Sequence, residues 1–232
     1  TSISIGRSGW FAAYGALGTT INTGAADGND SVVINASASN WSWWGSAEAV
    51  GLGDGSSILS GDGNDSISIS ASATGGWTNA WAMRSSSIDT GSGNDSVTLT
   101  ASTTSWSWDP AYGATNSSIN LGAGSDSLTI NASATGSGWI AAYGALGTTI
   151  NTGAADGNDS VVINASASNW SWWGSAEAVG LGDGSSILSG DGNDSIAISA
   201  SATGGWTNAW AMRSSSIDTG SGNDTVTLTA ST

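Results

Sequence analysis

Residues 90–98 read TGSGNDSVT, a glycine-rich turn followed by alternating polar and apolar residues. Closely similar stretches occur at residues 60–68 (SGDGNDSIS) and 121–129 (LGAGSDSLT). The aspartate of this motif recurs at intervals of 30 to 35 residues along the whole chain. Its seven positions are Asp30, Asp65, Asp95, Asp126, Asp159, Asp194 and Asp224. A repeat of this length predicts a solenoid, in which each coil buries its apolar face against the next.

A longer repeat contains the shorter one. Residues 9–103 return almost unchanged as residues 138–232, an offset of 129 residues. The last residues, TVTLTAST, and the first, TSISIG, join into a sequence that resembles the internal stretch beginning at Thr98. We therefore expect one continuous solenoid over residues 1–232, with about seven coils, cut from a longer array and able to continue head to tail through its unpaired strand edges.

Each coil divides into three short segments. The first follows the aspartate and alternates strictly, as in SISISASA at residues 66–73, which is typical of a strand with one buried face. The second places an alanine before an aromatic residue, as at Ala80 and Trp81, and the third contains a single isoleucine such as Ile88. The density of glycine, serine and threonine disfavours helix throughout. The predicted fold class is all-β, a parallel β-solenoid.

The glycine–aspartate turn resembles the calcium-binding nonapeptide of the RTX family, G-G-x-G-x-D-x-U-x, in which U is a large apolar residue. The resemblance is limited to the turns, because each coil holds one nonapeptide and its first glycine is replaced by threonine, serine or leucine. The turns at Asp30 and Asp159 also carry two extra residues. The resemblance implies Ca²⁺ bound by the seven aspartates and by carbonyls of the turn glycines, in a bacterial surface protein or adhesin. These glycines are Gly61, Gly63, Gly91, Gly93, Gly122, Gly124, Gly190, Gly192, Gly220 and Gly222.

The electrostatics of stacked turns favour a cation independently of the resemblance. Coils stacked ~4.8 Å apart would align the carboxylates in a column, and each adjacent pair would repel by about 1 kcal/mol even at the dielectric constant of water. A divalent ion between turns would remove that repulsion. The alternative is an Asx-type turn, in which each aspartate caps local backbone N–H groups without a metal.

Aromatic residues form two predicted columns. When the coils are aligned on the alanine of the second segment, a tryptophan stands three residues before it, or five before it in two coils. The first column then contains Trp10, Trp44, Trp77, Trp108, Trp139, Trp173 and Trp206. The second contains Tyr14, Trp81, Tyr112, Tyr143 and Trp210. Strand alternation places both columns opposite a face of alanine and glycine. We predict that the aromatic rings lie outside, as an interaction surface; the alternative is that they fill a wide core.

Composition excludes several classes of function. The net charge of −15, with three basic residues against eighteen acidic ones, opposes binding to nucleic acid. The absence of histidine and cysteine removes the commonest general base and most zinc ligands, which leaves a hard cation such as calcium. No apolar stretch is long enough for a membrane helix. Arg7, Arg84 and Arg213 stand alone and indicate no site. The acidic residues repeat identically instead of forming one localised pair, so we expect no enzyme.

These observations together predict a structural segment of a secreted or cell-surface protein. We expect a calcium-stabilised rigid stalk, filament or layer that assembles with copies of itself, head to tail and side by side. One alternative is an adhesin module that binds polysaccharide through the tryptophan columns. The other is ice binding by the flat serine, threonine and asparagine face, which includes Ser68, Ser70 and Ser72.

Overall fold

The computed structural model describes residues 9–24, 28–40, 42, 44–153 and 157–232. These residues form three parallel sheets of seven strands each, and each coil contributes one strand to each sheet in turn. None of the described residues is helical, so no helix suited to crossing a membrane is found among them. The predicted all-β parallel solenoid of about seven coils is confirmed.

The three sheets correspond to the three segments of each coil. The aromatic sheet contains β1 (Trp10–Ala16), β4 (Ser46–Leu52), β7 (Trp77–Arg84), β10 (Trp108–Thr115), β13 (Trp139–Leu146), β16 (Ser175–Leu181) and β19 (Trp206–Met212). The isoleucine sheet contains β2 (Thr20–Asn22), β5 (Ser57–Leu59), β8 (Ser87–Asp89), β11 (Ser118–Asn120), β14 (Thr149–Asn151), β17 (Ser186–Leu188) and β20 (Ser216–Asp218). The serine–threonine sheet contains β3 (Ser31–Ser39), β6 (Ser66–Gly75), β9 (Ser96–Ser105), β12 (Ser127–Gly136), β15 (Ser160–Asn169), β18 (Ser195–Thr203) and β21 (Thr225–Ser231).

Neighbouring coils pair in register. Leu128 faces Val97 in the serine–threonine sheet, and Ile150 faces Ile119 in the isoleucine sheet. Each position of the repeat therefore becomes a column that runs along the solenoid, with ~4.8 Å between its members. This arrangement brings together residues that lie about thirty positions apart in the chain.

The core lies between the inward faces of the three sheets and consists mainly of alanine, valine, isoleucine and leucine. One inward row of the aromatic sheet is glycine in five coils, where an added Cβ would collide with an isoleucine Cγ2 of the serine–threonine sheet. The five pairs are Gly15 with Ile34, Gly51 with Ile69, Gly113 with Ile130, Gly144 with Ile163, and Gly180 with Ile198. In the other two coils this row is Ala82 and Ala211, and the corresponding sheet positions are Leu99 and Leu228. Leucine carries no branch at Cβ, so it leaves room for the alanine methyl group.

Candidate functional site

The aspartates of the seven turns form a hydrogen-bonded ladder. Each backbone N–H donates to the carboxylate Oδ1 of the aspartate in the next coil. The donor–acceptor distances are 2.8 Å for Asp30–Asp65, Asp65–Asp95, Asp95–Asp126 and Asp126–Asp159, 2.9 Å for Asp159–Asp194 and 3.0 Å for Asp194–Asp224. Six of the seven carboxylates, all except that of Asp30, therefore accept a backbone N–H of the neighbouring coil, whereas the Asx-type alternative assigns them a local donor. Hydrogen bonds to charged acceptors of this kind are stronger than neutral ones.

Glycine is required where the turns stack most closely. Gly93 has a φ of +140°, and a Cβ at this residue would collide with the carbonyl oxygen of Gly63 in the preceding coil. The turn carbonyls also take part in the stacking, because Gly61 and Gly91 accept hydrogen bonds from Ser92 and Ala123 at 3.3 and 3.0 Å. The predicted glycine positions thus allow one turn to lie directly on the next.

In the five inner coils the aspartate is buried, and the hydrogen bonding of its second carboxylate oxygen differs between coils. Among the described residues, Oδ2 of Asp65, Asp95, Asp126 and Asp194 is buried without a hydrogen-bond partner. Oδ2 of Asp159, in contrast, accepts a hydrogen bond of 2.7 Å from the Thr152 hydroxyl. Thr152 directly precedes the first turn glycine of its coil, and the corresponding residue in the Asp126 coil is Leu121, which is fully buried and has no side-chain donor.

Burial makes the three central aspartates of the ladder harder to ionise. It raises the pKa of Asp126 to about 7, an effect that the Asp95 N–H opposes and that the charges of Asp95 and Asp159 reinforce. Burial also raises the pKa of Asp95 and of Asp159. A buried carboxylate oxygen without a partner is an atom that a proton or a cation would satisfy.

The ladder offers calcium a partial set of ligands. Calcium takes six to eight oxygens, and each turn with an unpartnered Oδ2 supplies one carboxylate oxygen that is not already hydrogen-bonded. Within the described part of the chain, no three acidic side chains converge on one point. A cation bound at one of these oxygens would need its remaining ligands from backbone carbonyls and water.

The tyrosine column is the set of stacked residues Tyr14, Val50, Trp81, Tyr112, Tyr143, Val179 and Trp210. Its rings stack face to face, with centroids 5.5 Å apart for Trp81–Tyr112 and 5.1 Å apart for Tyr112–Tyr143. Two coils place valine in this column, and both valines are fully buried. The predicted second column is therefore a real stack in the structure, interrupted once in every 129 residues.

An arginine from the next coil spans each interruption. The guanidinium of Arg84 lies 5.7 Å from the Tyr14 ring centroid and 5.0 Å from that of Trp81, across the coil of Val50. It donates to Glu48 at 2.9 Å and to both carboxylate oxygens of Asp54 at 3.1 and 3.0 Å. The Tyr14 hydroxyl donates to the same oxygen of Glu48 at 2.7 Å. Arg213 repeats the arrangement with Tyr143, Trp210, Glu177 and Asp183.

The expectation that these two arginines are isolated is wrong. Their partners lie 30 and 36 residues earlier in the chain, and only the coil register brings them together. The sequence did contain a signal, because each arginine follows a coil in which the aromatic position is valine and the residue two positions earlier is glutamate. Arg7 lies outside the described residues.

The tryptophan column needs one correction. Strand register places Ser46 and Ser175, not Trp44 and Trp173, beside the tryptophans of neighbouring coils. The extra residues of these two coils belong to the loop before the strand, so the alignment that counted back five residues was wrong. The column is therefore Trp10, Ser46, Trp77, Trp108, Trp139, Ser175 and Trp206. Trp44 and Trp173 lie in the loops and are 92% and 93% exposed.

The tryptophans of the first column lie outside the core, as predicted, whereas the rings of the tyrosine column are half-buried. Trp10, Trp77, Trp108, Trp139 and Trp206 are all exposed, whereas Ala80 and Ala111 on the opposite face are fully buried. Trp108 and Trp139 stack with centroids 4.9 Å apart. The loop before β16 adds Trp170, which makes an edge contact with Trp106, and Trp172, which is 90% exposed. One side of the rod thus carries a broad aromatic surface.

A buried aspartate accounts for two polar residues on the inward side of the aromatic sheet. Asp109 is fully buried, and its Oδ1 accepts hydrogen bonds from the Thr78 N–H at 3.0 Å and the Thr78 hydroxyl at 2.8 Å. The next residue, Pro110, has no N–H to donate to a ladder, and the paired positions of β7 and β10 begin only at Ala80 and Ala111. The carboxylate thus replaces a backbone acceptor where proline interrupts the sheet. Burial raises its pKa to about 6.

No protein-family model, curated protein or solved structure matches this chain.

Proposed function

We propose that this chain is a structural segment, a rigid β-solenoid rod of a secreted or cell-surface repeat protein. The supporting observation is that the 129-residue repeat reproduces a contact network as well as a sequence. The two copies are Tyr14, Glu48, Asp54 and Arg84, and Tyr143, Glu177, Asp183 and Arg213. Each network ties three successive coils together, and the aspartate ladder ties every coil to the next. These contacts hold successive coils together along the solenoid.

The rod model has a direct test in solution. Seven coils at ~4.8 Å each give a rod about 34 Å long, which small-angle scattering measures. A tandem chain with one additional 129-residue unit of four coils should lengthen by about 19 Å at constant cross-section. A cross-section that grows instead would contradict the rod.

We further propose that calcium stabilises the turns. The support is the row of buried, unpartnered Oδ2 atoms, together with a net charge of −15. A ligand that binds only the folded chain at a hundredfold excess over its Kd adds about 2.7 kcal/mol per site. Calcium should therefore raise the melting temperature at pH 8, and magnesium should raise it less. An identical melting temperature in excess chelator, with no calcium in the purified protein, would contradict calcium binding and leave the rod proposal intact.

End-to-end association is part of the same proposal. In this chain β19, β20 and β21 are hydrogen-bonded on one side only. Val226 and Leu228 are 44% and 48% exposed, whereas their counterparts in the inner coils are buried. Stacking a second chain on this edge would cover them, and such head-to-tail contacts give open filaments. Filament growth by electron microscopy should stop in Val226→Lys/Leu228→Lys; growth at an unchanged rate would refute edge stacking.

A second candidate function is polysaccharide binding. The observation that favours it is the nearly complete exposure of Trp172 and Trp173 in the loop before β16. Exposed indole faces suit the apolar faces of sugar rings. Binding on a glycan array that is lost in Trp172→Ala/Trp173→Ala and kept in Trp210→Phe would support this function. The absence of binding to any glycan on the array would contradict polysaccharide binding.

A further inference from the structure

The tyrosine column shows what a one-coil gap between aromatic rings accepts. At Val179 the ring is missing, and the guanidinium of Arg213 lies between the rings of Tyr143 and Trp210, 5.9 and 5.2 Å from their centroids. Rings two coils apart are separated by ~9.6 Å along the rod. This separation leaves room for one planar group between the two ring faces.

The tryptophan column has gaps in the same two coils. Trp139 stacks on Trp108 on one side, so its opposite face is directed toward the next coil, where the column residue is Ser175. Trp206 follows in the coil after that and is 73% exposed. In the same register, Ser46 stands between Trp10 and Trp77. A serine side chain is too short to occupy the height between two indoles.

We propose that these two gaps bind arginine side chains of a basic partner protein. Tryptophan is the aromatic side chain that binds cations best, and the planar guanidinium stacks on rings in a way that an ammonium group does not. The chain carries a net charge of −15 and three basic residues, so a cationic partner is attracted over a distance. Arg84 and Arg213 already occupy the neighbouring column in these same coils. The proposal does not depend on the rod function or on calcium.

The geometry also specifies the spacing of the partner's arginines. Ser46 and Ser175 lie four coils apart, which corresponds to ~19 Å along the rod. An extended peptide advances about 3.3 Å per residue. Arginines six residues apart therefore reach both gaps at once.

The experiment is a titration of the folded chain, in excess chelator and at physiological ionic strength, with a glycine–serine peptide that carries two arginines six residues apart. Tryptophan fluorescence and calorimetry report binding. The matched peptides carry two lysines at the same spacing, or two arginines three residues apart. Each gap should raise the affinity for the arginine peptide about threefold. The lysine peptide keeps its charge and loses the planar stacking, so we expect it to bind more weakly than the arginine peptide, by at most about tenfold. The peptide with arginines three residues apart should bind about threefold more weakly than the one with arginines six residues apart, because it reaches only one gap at a time.

Three variants test the location. Ser46→Trp/Ser175→Trp fills both gaps with the residue that the column has in its other five coils, and it should reduce binding of the arginine peptide about tenfold. Ser133→Trp adds an exposed indole on the serine–threonine sheet and should leave binding unchanged. Trp206→Ala removes an exposed wall of one gap and should reduce binding about threefold. Equal affinities for the arginine and lysine peptides, or unchanged binding by the filled variant, would overturn the proposal. So would a neutral oligosaccharide that binds the native chain and is excluded by the filled variant.

Discussion

Replacing Asp126 by asparagine should remove much of the pH dependence of folding. In the native chain, Oδ1 of Asp126 accepts the Asp95 N–H, and Oδ2 is buried without a partner. The asparagine in Asp126→Asn keeps an oxygen that can accept the same hydrogen bond. The substitution also removes a negative charge whose burial is unfavourable.

The magnitude follows from the pKa of Asp126, which is about 7 in the folded chain against an ordinary value of 3.8. At 1.36 kcal/mol per pKa unit, ionising this carboxyl costs about 4 kcal/mol more in the folded chain than in the unfolded one. Between these two pH values the folded chain holds a proton that the unfolded chain has released. The free energy of unfolding therefore falls as the pH rises from about 4 to about 7 and is level above that.

At about pH 8, Asp126→Asn should therefore be more stable than the native chain. The free energy of unfolding should rise by about 1 to 3 kcal/mol. Removing the charge contributes about 4 kcal/mol, and burying the unpaired amide N–H₂ group costs about 1 to 3 kcal/mol of that. At about pH 4.5 this gain should have disappeared, since most of the native carboxyl is then protonated.

Urea unfolding followed by tryptophan fluorescence, in excess chelator across this pH range, measures the effect. Asp62→Asn is the matched control, because it removes the same charge from an exposed position of a turn. Parallel pH profiles for the native chain and Asp126→Asn would show that Asp126 ionises freely in the folded state, which would contradict the effect of burial on its pKa.

Three further predictions concern stability and are checked by the same urea unfolding. Arg84→Lys should lower the free energy of unfolding by about 1 to 2 kcal/mol, because lysine cannot form the bidentate bond to Asp54 or stack on the rings and pairs less well with Glu48. An unchanged urea midpoint would contradict the bridging role of Arg84. Gly113→Ala should lower the free energy of unfolding by about 1 to 3 kcal/mol, because the added Cβ collides with Ile130 and with the carbonyl oxygen of Gly144. Ile130→Leu removes only the first collision, so it should recover part of that loss in the double variant. Additive losses would contradict the paired packing. Asp109→Ala should lower the free energy of unfolding by at least about 2 kcal/mol, because the buried Thr78 N–H loses its acceptor. Asp109→Asn keeps an acceptor oxygen and should lower it less. Equal losses in the two variants would contradict the role of Asp109 as the acceptor.

The sequence predicted the three-segment coil because each segment is a local pattern. Alternation at residues 66–73 corresponds to β6, and the short segment at Ile88 is β8. The alanine–aromatic segment at Ala80 lies in β7. Period two and glycine-rich turns act over a few residues, so they can be recognised without knowledge of the register.

What the sequence did not reveal depends on contacts between coils. The sequence alignment places Trp44 in the tryptophan column because it counts two extra residues within the strand, whereas the structure places them in the loop. A better guide was available, since Trp10 lies four residues before Tyr14 and Ser46 lies four residues before Val50. The hydrogen-bonded form of the aspartate ladder was also missed. A carboxylate that accepts a backbone N–H from the next coil cannot be distinguished by sequence from one that binds a metal or caps its own turn.

The two columns differ in the ring faces that they leave free, and this difference separates their roles. In the tyrosine column, from Tyr14 to Trp210, each ring has another ring or a guanidinium in contact with at least one face. Arg84 belongs to the third coil and reaches Glu48 in the second and Tyr14 in the first, so its coupling extends beyond the nearest neighbour that a simple repeat model assumes. This column therefore stiffens the rod. In the tryptophan column the same coils contain serine, so the indole faces on either side have no ring of their own column to stack on. A ligand that stacks on an aromatic face finds that face here, and the gaps at Ser46 and Ser175 are consequently where binding, as distinct from assembly, is expected.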